Sequence, residues 1–466
     1  MKSATGVRGV IGAAVVTVAL VVTSLAVWSS PGGGAAPPSL EAQLAAAQAE
    51  NERLQQELWS AEGKLNSTPS PRPTPTPTKT PKPTPTAKPK PKPTAEPAPP
   101  ADNGPDTIVV YRDPAIEGQP APPPPPAPAP EPAAPAPVTA PSVESILNPA
   151  QRYFGMYTTQ APYNFATFDD AAVKAGSRQS LVGYFSGWDQ PFRSDAVRRS
   201  WERGLVPMLT WESRPMLAGN DQPEDPEYSL PLILSGKFDA YLTQYAKDIV
   251  KTGLPLAIRL NHEMNGTWYP WSEQKADGTS LNGNRPGDYA ATWRYVHDIF
   301  EKAGANKYVM WVWAPNIVNN LASRHQGIEY TRSLYPGDEY VDIVGVSGYL
   351  RSPFRSGQTF TFDYTFGRTL EQLRAITDKP LFLAEVGATE IGGKKPEWVT
   401  DFFDAFARPE NADIIGFAWF NLTVTTFSGG ERVTNDWRIE SRADSLAAFK
   451  DGLLDPGGNF TIIPYT

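Results

Sequence analysis

The chain contains no cysteine. This removes a disulfide framework, a thiol nucleophile and every Cys-based metal site, and leaves stability to a large core. Histidine is nearly absent too: His262, His297 and His325 are the whole set, and they form neither an HExxH pair nor a Ser-His-Asp arrangement. Clustered positive charge is also lacking. A net charge of −8 and a pI near 5.2 exclude nucleic acid as a partner, because phosphate contacts require grouped Lys and Arg, and they favour neutral ligands. The first apolar run of the C-terminal region leads into FGMYTTQAPYN with no Gly-rich phosphate turn, which argues against a doubly wound dinucleotide fold.

What is abundant is proline, 50 residues in 466, very unevenly placed. Residues 1–34 carry Lys2, Arg8 and an uncharged apolar run, Val10–Trp28, long enough to cross a bilayer. They are expected to be a signal peptide or a membrane anchor, and either implies an extracellular or cell-surface protein. Residues 35–68 place Leu40, Leu44, Ala47, Leu54, Leu58, Ala61 and Leu65 on a seam with Asn51 in the missing position. That heptad spacing predicts a coiled coil with a dimer through residues 40–65, the alternative being a solvated spacer helix. Residues 69–142 are a Pro/Thr/Lys-rich linker that cannot pack a core and is expected to extend as polyproline II. The short island Thr107–Tyr111 within it is too small to be a domain.

Residues 143–466 differ in kind. Eight apolar runs appear: Tyr153–Tyr157, Leu181–Phe185, Leu205–Thr210, Leu256–Leu260, Tyr308–Trp313, Val341–Val346, Pro380–Ala384 and Asp413–Trp419. Helical patterns intervene at Asp195–Arg203, Phe238–Thr252, Gly287–Ala303, Thr369–Thr377, Glu397–Phe406 and Ser441–Leu454. The alternation predicts an α/β fold, a (β/α)8 TIM barrel catalytic domain preceded by the apolar helix, short coiled coil and Pro-rich linker.

In such barrels the C-terminal strand ends face the substrate. The fourth run ends in Asn261, His262 and Glu263, and the seventh in Glu385. Two carboxylates across a barrel mouth are the arrangement that two-carboxylate glycoside hydrolysis requires. Strand alternation turns Arg259 inward with Asn261 and Glu263, as a supporting ion-pair partner. Trp211 and Glu212 close the third run, Trp188 and Asp189 the second, and Asn316 the fifth; each is a candidate sugar contact or a loop-packing residue. Tryptophan and tyrosine are the usual platforms for pyranose faces, and Trp268, Tyr269, Trp271 and Trp419 lie at strand ends or in loops, whereas Trp311 and Trp313 alternate within a strand as filling. No metal and no cofactor is expected. The acidic stretch Asn220–Tyr228 is read as a solvated loop rather than a calcium site.

The segments HEMNGTWYPW, VSGY, LAEVG and FAWFN together resemble glycoside hydrolase family 26, best known for endo-β-1,4-mannanases. The resemblance covers most of residues 143–466 and none of the first 142. It implies a retaining (β/α)8 glycoside hydrolase with Glu263 as acid/base and Glu385 as nucleophile. It also implies that His262 touches the sugar beside the scissile bond, that Tyr349 orients the nucleophile, that Trp419 is the stacking ring and that Trp268 is the aromatic beside the acid/base. Two positions depart from the pattern: Glu212 stands where the family often has His, and Phe420 where some mannanases carry Arg. The implied substrate is a β-linked polysaccharide, β-1,4-mannan first, with β-1,3-1,4-glucan or β-1,3-xylan as alternatives. A non-catalytic envelope polysaccharide-binding protein is the rival from another class.

Overall fold

The computed structural model describes residues 138–465 apart from 220–221, 355–356 and 429–430. The expected apolar run at 10–28, the coiled coil at 40–65 and nearly all of the linker lie outside the described residues. Among the described residues no helix is long and apolar enough to cross a membrane.

Eight parallel strands close into a barrel in sequential order: β1 (Tyr153–Tyr157), β2 (Leu181–Gly187), β3 (Val206–Glu212), β4 (Leu256–Leu260), β5 (Val309–Trp313), β6 (Ile343–Leu350), β7 (Leu381–Ala388) and β8 (Ile414–Phe420). Their near-continuous burial reflects cover on both faces, by the lumen filling inside and by helices outside. A short helix, α1 (Val143–Leu147), precedes β1 and sends Ile146 to the barrel floor, where it meets Leu181, Val206, Met208, Met310 and Phe382. The Tyr153 hydroxyl donates to the Ile146 carbonyl at 2.9 Å and holds this plug.

The helices outside are α2 (Ala166–Ala175), α3 (Ser194–Glu202), α4 (Leu230–Leu234), α5 (Asp239–Thr252), α6 (Asp288–Ala303), α7 (Ile328–Ser333), α8 (Arg368–Arg374), α9 (Lys395–Asp404) and α10 (Ala443–Leu454). In α5 the buried residues Leu242, Tyr245, Ala246 and Ile249 recur at three and four. One apolar stripe therefore faces the barrel, with about 1.5–3 kcal/mol gained for each large side chain buried. Gly253 (φ 66) and Gly304 (φ 75) end α5 and α6 in the left-handed conformation that closes a helix. Between β8 and α10 the chain inserts an antiparallel hairpin, β9 (Thr423–Ser428) and β10 (Glu431–Asp436), which the apolar runs did not predict.

Two strands slip by one residue. From Gly345↔Phe382 to Ser347↔Glu385, β7 advances three residues while β6 advances two. The same surplus appears against β8, from Leu383↔Phe417 to Val386↔Trp419. A β-bulge at Ala384 is the common cause. On β8 the extra residue lies between Ile414 and Phe417, where Gly416 takes φ 154.

Candidate active site

β4 leaves the barrel through a strained turn. Asn261 (φ 42) and Glu263 (φ 54) are both left-handed, a conformation common for Asn and uncommon for Glu, with a cost on the order of 1–3 kcal/mol. Surrounding bonds hold it in place. The Asn261 N–H donates to the Trp211 carbonyl at 2.9 Å and the Glu263 N–H to the Ala314 carbonyl at 2.7 Å. The Ser213 N–H donates to Asn261 Oδ1 at 2.8 Å, and the Tyr289 hydroxyl to the Asn261 carbonyl at 3.0 Å. The turn thereby aims the Glu263 carboxyl over the lumen.

There Glu263 Oε2 accepts the Trp268 indole N–H at 2.8 Å, and the Asn316 side chain hydrogen-bonds the same carboxyl. Asn316 is itself clamped by Asn265, whose side chain bonds the Asn316 N–H and carbonyl, each at 2.8 Å. Burial first, and the negative charge of Glu385 second, push the Glu263 pKa above the usual carboxylate range, and the Asn316 and Trp268 donors only partly offset this.

Glu385 lies in a different environment. One carboxylate oxygen is bonded by the Arg259 guanidinium and the other by the Tyr349 hydroxyl. Arg259 is 0% exposed. Burial works against its charge, but Tyr157 and Glu385 outweigh that and hold its pKa above the ordinary arginine value. Two carboxyl groups thus sit in one barrel mouth, one paired with a cation and one bonded by neutral donors.

The other expected site residues divide. Trp268, Tyr349 and Asn316 converge on the two glutamates as described. His262 is 1% exposed and its Nε2 lies 3.1 Å from the Tyr269 hydroxyl, so it lines the wall beneath the cleft rather than standing open to it. Burial, then the charges of Arg259 and Arg214, hold its pKa well below the usual imidazole value, so the ring is neutral. Glu212 is 3.9 Å from His262 Nδ1 and is paired with Arg214, with Nη2–Oε1 at 2.9 Å. The Arg214 guanidinium lies 4.8 Å from the Tyr269 ring centre.

Two tryptophans are corrected. Trp419 is 0% exposed and faces the helices, with Phe449 at 5.1 Å and Phe402 at 6.1 Å. Trp211 is also fully buried, stacked on Tyr245 of α5 at 4.3 Å. Neither ring reaches the barrel mouth. Besides Trp268 and Tyr349, Phe420 and Trp437 do, neither of which strand-end position selects for sugar stacking: the Tyr349 ring is 4.8 Å from Trp437 and 5.9 Å from Phe420. Trp437 follows β10, beyond the reach of a rule based on strand ends. The signal available for it was a lone tryptophan closing a Thr/Val alternation in TVTTFSGGERVTNDW. Its indole Nε1 is buried and has no protein hydrogen-bond partner.

Among the described residues no group of three or more His, Asp or Glu side chains is arranged to hold a metal ion. The two carboxyl groups, one with a raised pKa and one paired with Arg259, can supply proton transfer and nucleophilic attack, with aromatic walls beside them.

Residues 210–389, which include both glutamates, match the family model "Glycosyl hydrolase family 26". Endoglucanase H of Acetivibrio thermocellus is 33% identical over 296 residues, 61% of this chain and 29% of that protein. "Mannan endo-1,4-beta-mannosidase A and B" of Caldalkalibacillus mannanilyticus is 28% identical over 144 residues, 31% of this chain and 24% of that protein. The chain thus spans less than a third of the length of either curated relative. The solved structure of a modular endo-β-1,4-mannanase from Cellulomonas fimi aligns with TM-score 0.48 and 18% identity, over 68% of this chain and 75% of that one. The match across β3 to β7 agrees with the resemblance carried by the sequence motifs: residues 210–389 are similar to glycosyl hydrolase family 26.

Proposed function

We propose that the chain is a retaining endo-glycoside hydrolase that cleaves a β-linked polysaccharide by double displacement. The observation that carries this is the unequal setting of the two glutamates: Glu385 bonded to Arg259 and Tyr349, and Glu263 buried with a raised pKa. In the first step Glu263 gives its proton to the glycosidic oxygen while a Glu385 oxygen attacks the anomeric carbon. The C–O bond to the leaving sugar breaks and a glycosyl ester forms on Glu385. That ester carries no negative charge, so the second of the two effects raising the Glu263 pKa disappears. Glu263, now ionised, takes a proton from water, which opens the ester and restores both groups.

For the sugar, the motif resemblance put β-1,4-mannan first. The longer match to endoglucanase H, and apolar Phe420 where some mannanases carry Arg, move our proposal to a β-glucan backbone, with mannan as the competing arm. The run Val10–Trp28 supports action outside the cell or at its surface.

The test is reducing-sugar release from barley β-glucan, carboxymethylcellulose, β-mannan and β-1,3-xylan by wild type, Glu385→Ala and Glu263→Ala. Wild type should cleave at least one substrate and form the β-anomer first by NMR. Glu385→Ala should be inactive, and Glu263→Ala slower by about 10²–10⁴-fold. Equal signals from wild type and Glu385→Ala would refute catalysis, and binding without cleavage would establish the non-catalytic alternative.

A further inference from the structure

Lys395 is out of place by two ordinary rules. It opens α9, where the helix dipole disfavours a cation, and it is 0% exposed, although an ammonium is costly to bury unless every proton is bonded. Its Nζ meets that requirement entirely outside its own helix. It bonds the Arg438 carbonyl at 2.7 Å, the Ser441 Oγ at 2.7 Å and the Asp436 carbonyl at 3.3 Å, with Glu390 Oε1 as countercharge at 3.4 Å. The Asp436 and Arg438 carbonyls lie on either side of Trp437. The intervening Trp437 carbonyl accepts the Trp419 indole N–H at 2.7 Å, and the Trp437 N–H bonds the Leu422 carbonyl at 3.0 Å. The backbone carrying Trp437 is therefore tied at every step, with a cation at the centre of the knot.

We propose that Lys395 is a positioning residue for the sugar-facing wall: its ammonium gathers the return of the hairpin around itself and so fixes Trp437 against Tyr349, the tyrosine bonded to Glu385. The proposal rests on the glycoside-binding reading of this cleft. Trp437 has a wall to form, since its ring packs on Tyr349 and Phe420 and its indole N–H is left without a protein partner. A ligand hydroxyl is the group that would take that proton.

The knot is also sensitive to pH. Burial lowers the Lys395 pKa to about 8, against the opposing charges of Glu390, Asp436 and Glu440. The other charged groups at the knot are Arg438, bonded to Asp436, and Arg442, whose Nε is 3.8 Å from Glu390 Oε2. Deprotonation leaves an amine with two donors for three acceptors, so the wall loosens above pH of about 8.

The test measures binding rather than turnover, so that it survives a failure of the catalytic reading. In a Glu263→Gln background, which removes the titration of the acid/base, the affinities for cellotetraose and mannotetraose are measured by calorimetry from pH 6 to 9.5. The tighter-bound sugar should weaken above pH of about 8. Lys395→Met should bind it at least tenfold more weakly at pH 7 and lack the alkaline step. Trp437→Ala should lose comparable affinity, and adding Lys395→Met to it should cost less than a further twofold, because Lys395 acts through that ring. Losses that multiply, or Lys395→Met binding within twofold of its parent, would overturn the proposal. Should Lys395→Met fail to fold, Ser441→Ala, which removes one acceptor, is read in the same cycle with an expected loss of about threefold. Absence of binding by the parent to every sugar in the hydrolysis panel overturns the glycoside-binding reading and this proposal with it. Binding by the parent together with no cleavage by wild type overturns catalysis alone.

Discussion

Arg259→Met removes the guanidinium paired with Glu385 while keeping an unbranched side chain along the same path. Arg259 is fully buried and Glu385 nearly so. Deleting one member of a buried pair costs about 3–5 kcal/mol, because the surviving charge is left in a site it cannot leave. A domain of roughly 330 residues unfolds with an entropy near 0.7 kcal/mol/K, so the variant should melt about 4–7 °C below wild type. The same reasoning fixes the sign of a second measurement. Arg259→Met/Glu385→Gln buries no charge at this position and keeps Tyr349 as donor to the new amide oxygen, so it should melt above the Arg259→Met single variant and regain most of the loss. Differential scanning calorimetry on the four proteins of this cycle decides the matter without any substrate. A double variant that melts as low as Arg259→Met, or lower, would show that Arg259 stabilises the barrel by packing rather than by pairing with Glu385.

Other outcomes follow from single contacts. A Cβ on Gly387 would lie 2.8 Å from Tyr349 Cδ1 and 3.0 Å from Trp437 Cγ, so Gly387→Ala should displace both rings, cost about 1–3 kcal/mol in stability by urea titration, and lower kcat/KM; unchanged kcat/KM would refute the placement of these rings at the site. In the proposed mechanism Glu263 acts first in its protonated form, and its pKa is raised by burial and by Glu385, so kcat/KM should fall as pH rises through a value above the usual carboxylate range. Trp268→Phe deletes a donor that favours the ionised form, so this limb should move to higher pH, and a shift to lower pH would exclude the Trp268–Glu263 bond as a tuning contact. Glu273 accepts from the Gly287 and Tyr289 N–H groups at the start of α6, and burial raises its pKa to about 7. The folded state therefore holds a proton that the unfolded chain releases near pH 4.5. Its contribution to stability is complete below that pH and is lost as pH rises through about 7, and Glu273→Gln should flatten the melting-temperature profile across this window.

Much of the barrel was legible because its strands are uninterrupted apolar runs. All eight were located, and β1 and β4 coincide with the predicted limits. The ends of β6 and β7 were not: each runs four residues further than the apolar pattern, through Ser347–Leu350 and Glu385–Ala388. Those stretches break the apolar pattern with Ser347, Gly348, Glu385 and Gly387. Of these, the small residues Ser347 and Gly387 face a lumen that is already full. Gly387 leaves room for Tyr349 and Trp437, and Ser347 for the Arg259 guanidinium, whose Nη1 is 3.5 Å from its hydroxyl. The glutamates and Tyr349 could be picked out because strand ends and family motifs point to them. Trp437 could not, since the hairpin that carries it belongs to no strand end.

The two misplaced tryptophans trace to strand register. Residues paired across parallel strands share a face, and a one-residue shift reverses every side chain beyond it. Trp211 pairs with Leu260, the neighbour of inward Arg259, so Trp211 points to the helices. On β8, Ile415 lines the barrel floor, and strict alternation from it would turn Phe417 and Trp419 inward as well. The extra residue at Gly416 reverses that order: Phe417 and Trp419 pack on Phe449, and Phe420, paired with Tyr157 of β1, faces the lumen instead. On β7 the bulge works in favour of the chemistry. Phe382 faces the floor, so an unbroken strand would present Ala384 and Val386 to the lumen and turn Glu385 toward the helices. The additional residue at Ala384 brings Glu385 round beside Ser347 and Val386 beside Trp419. One irregularity therefore places the nucleophile candidate and the other chooses Phe420 over Trp419 as the ring at the mouth, and neither is visible to a rule of period two.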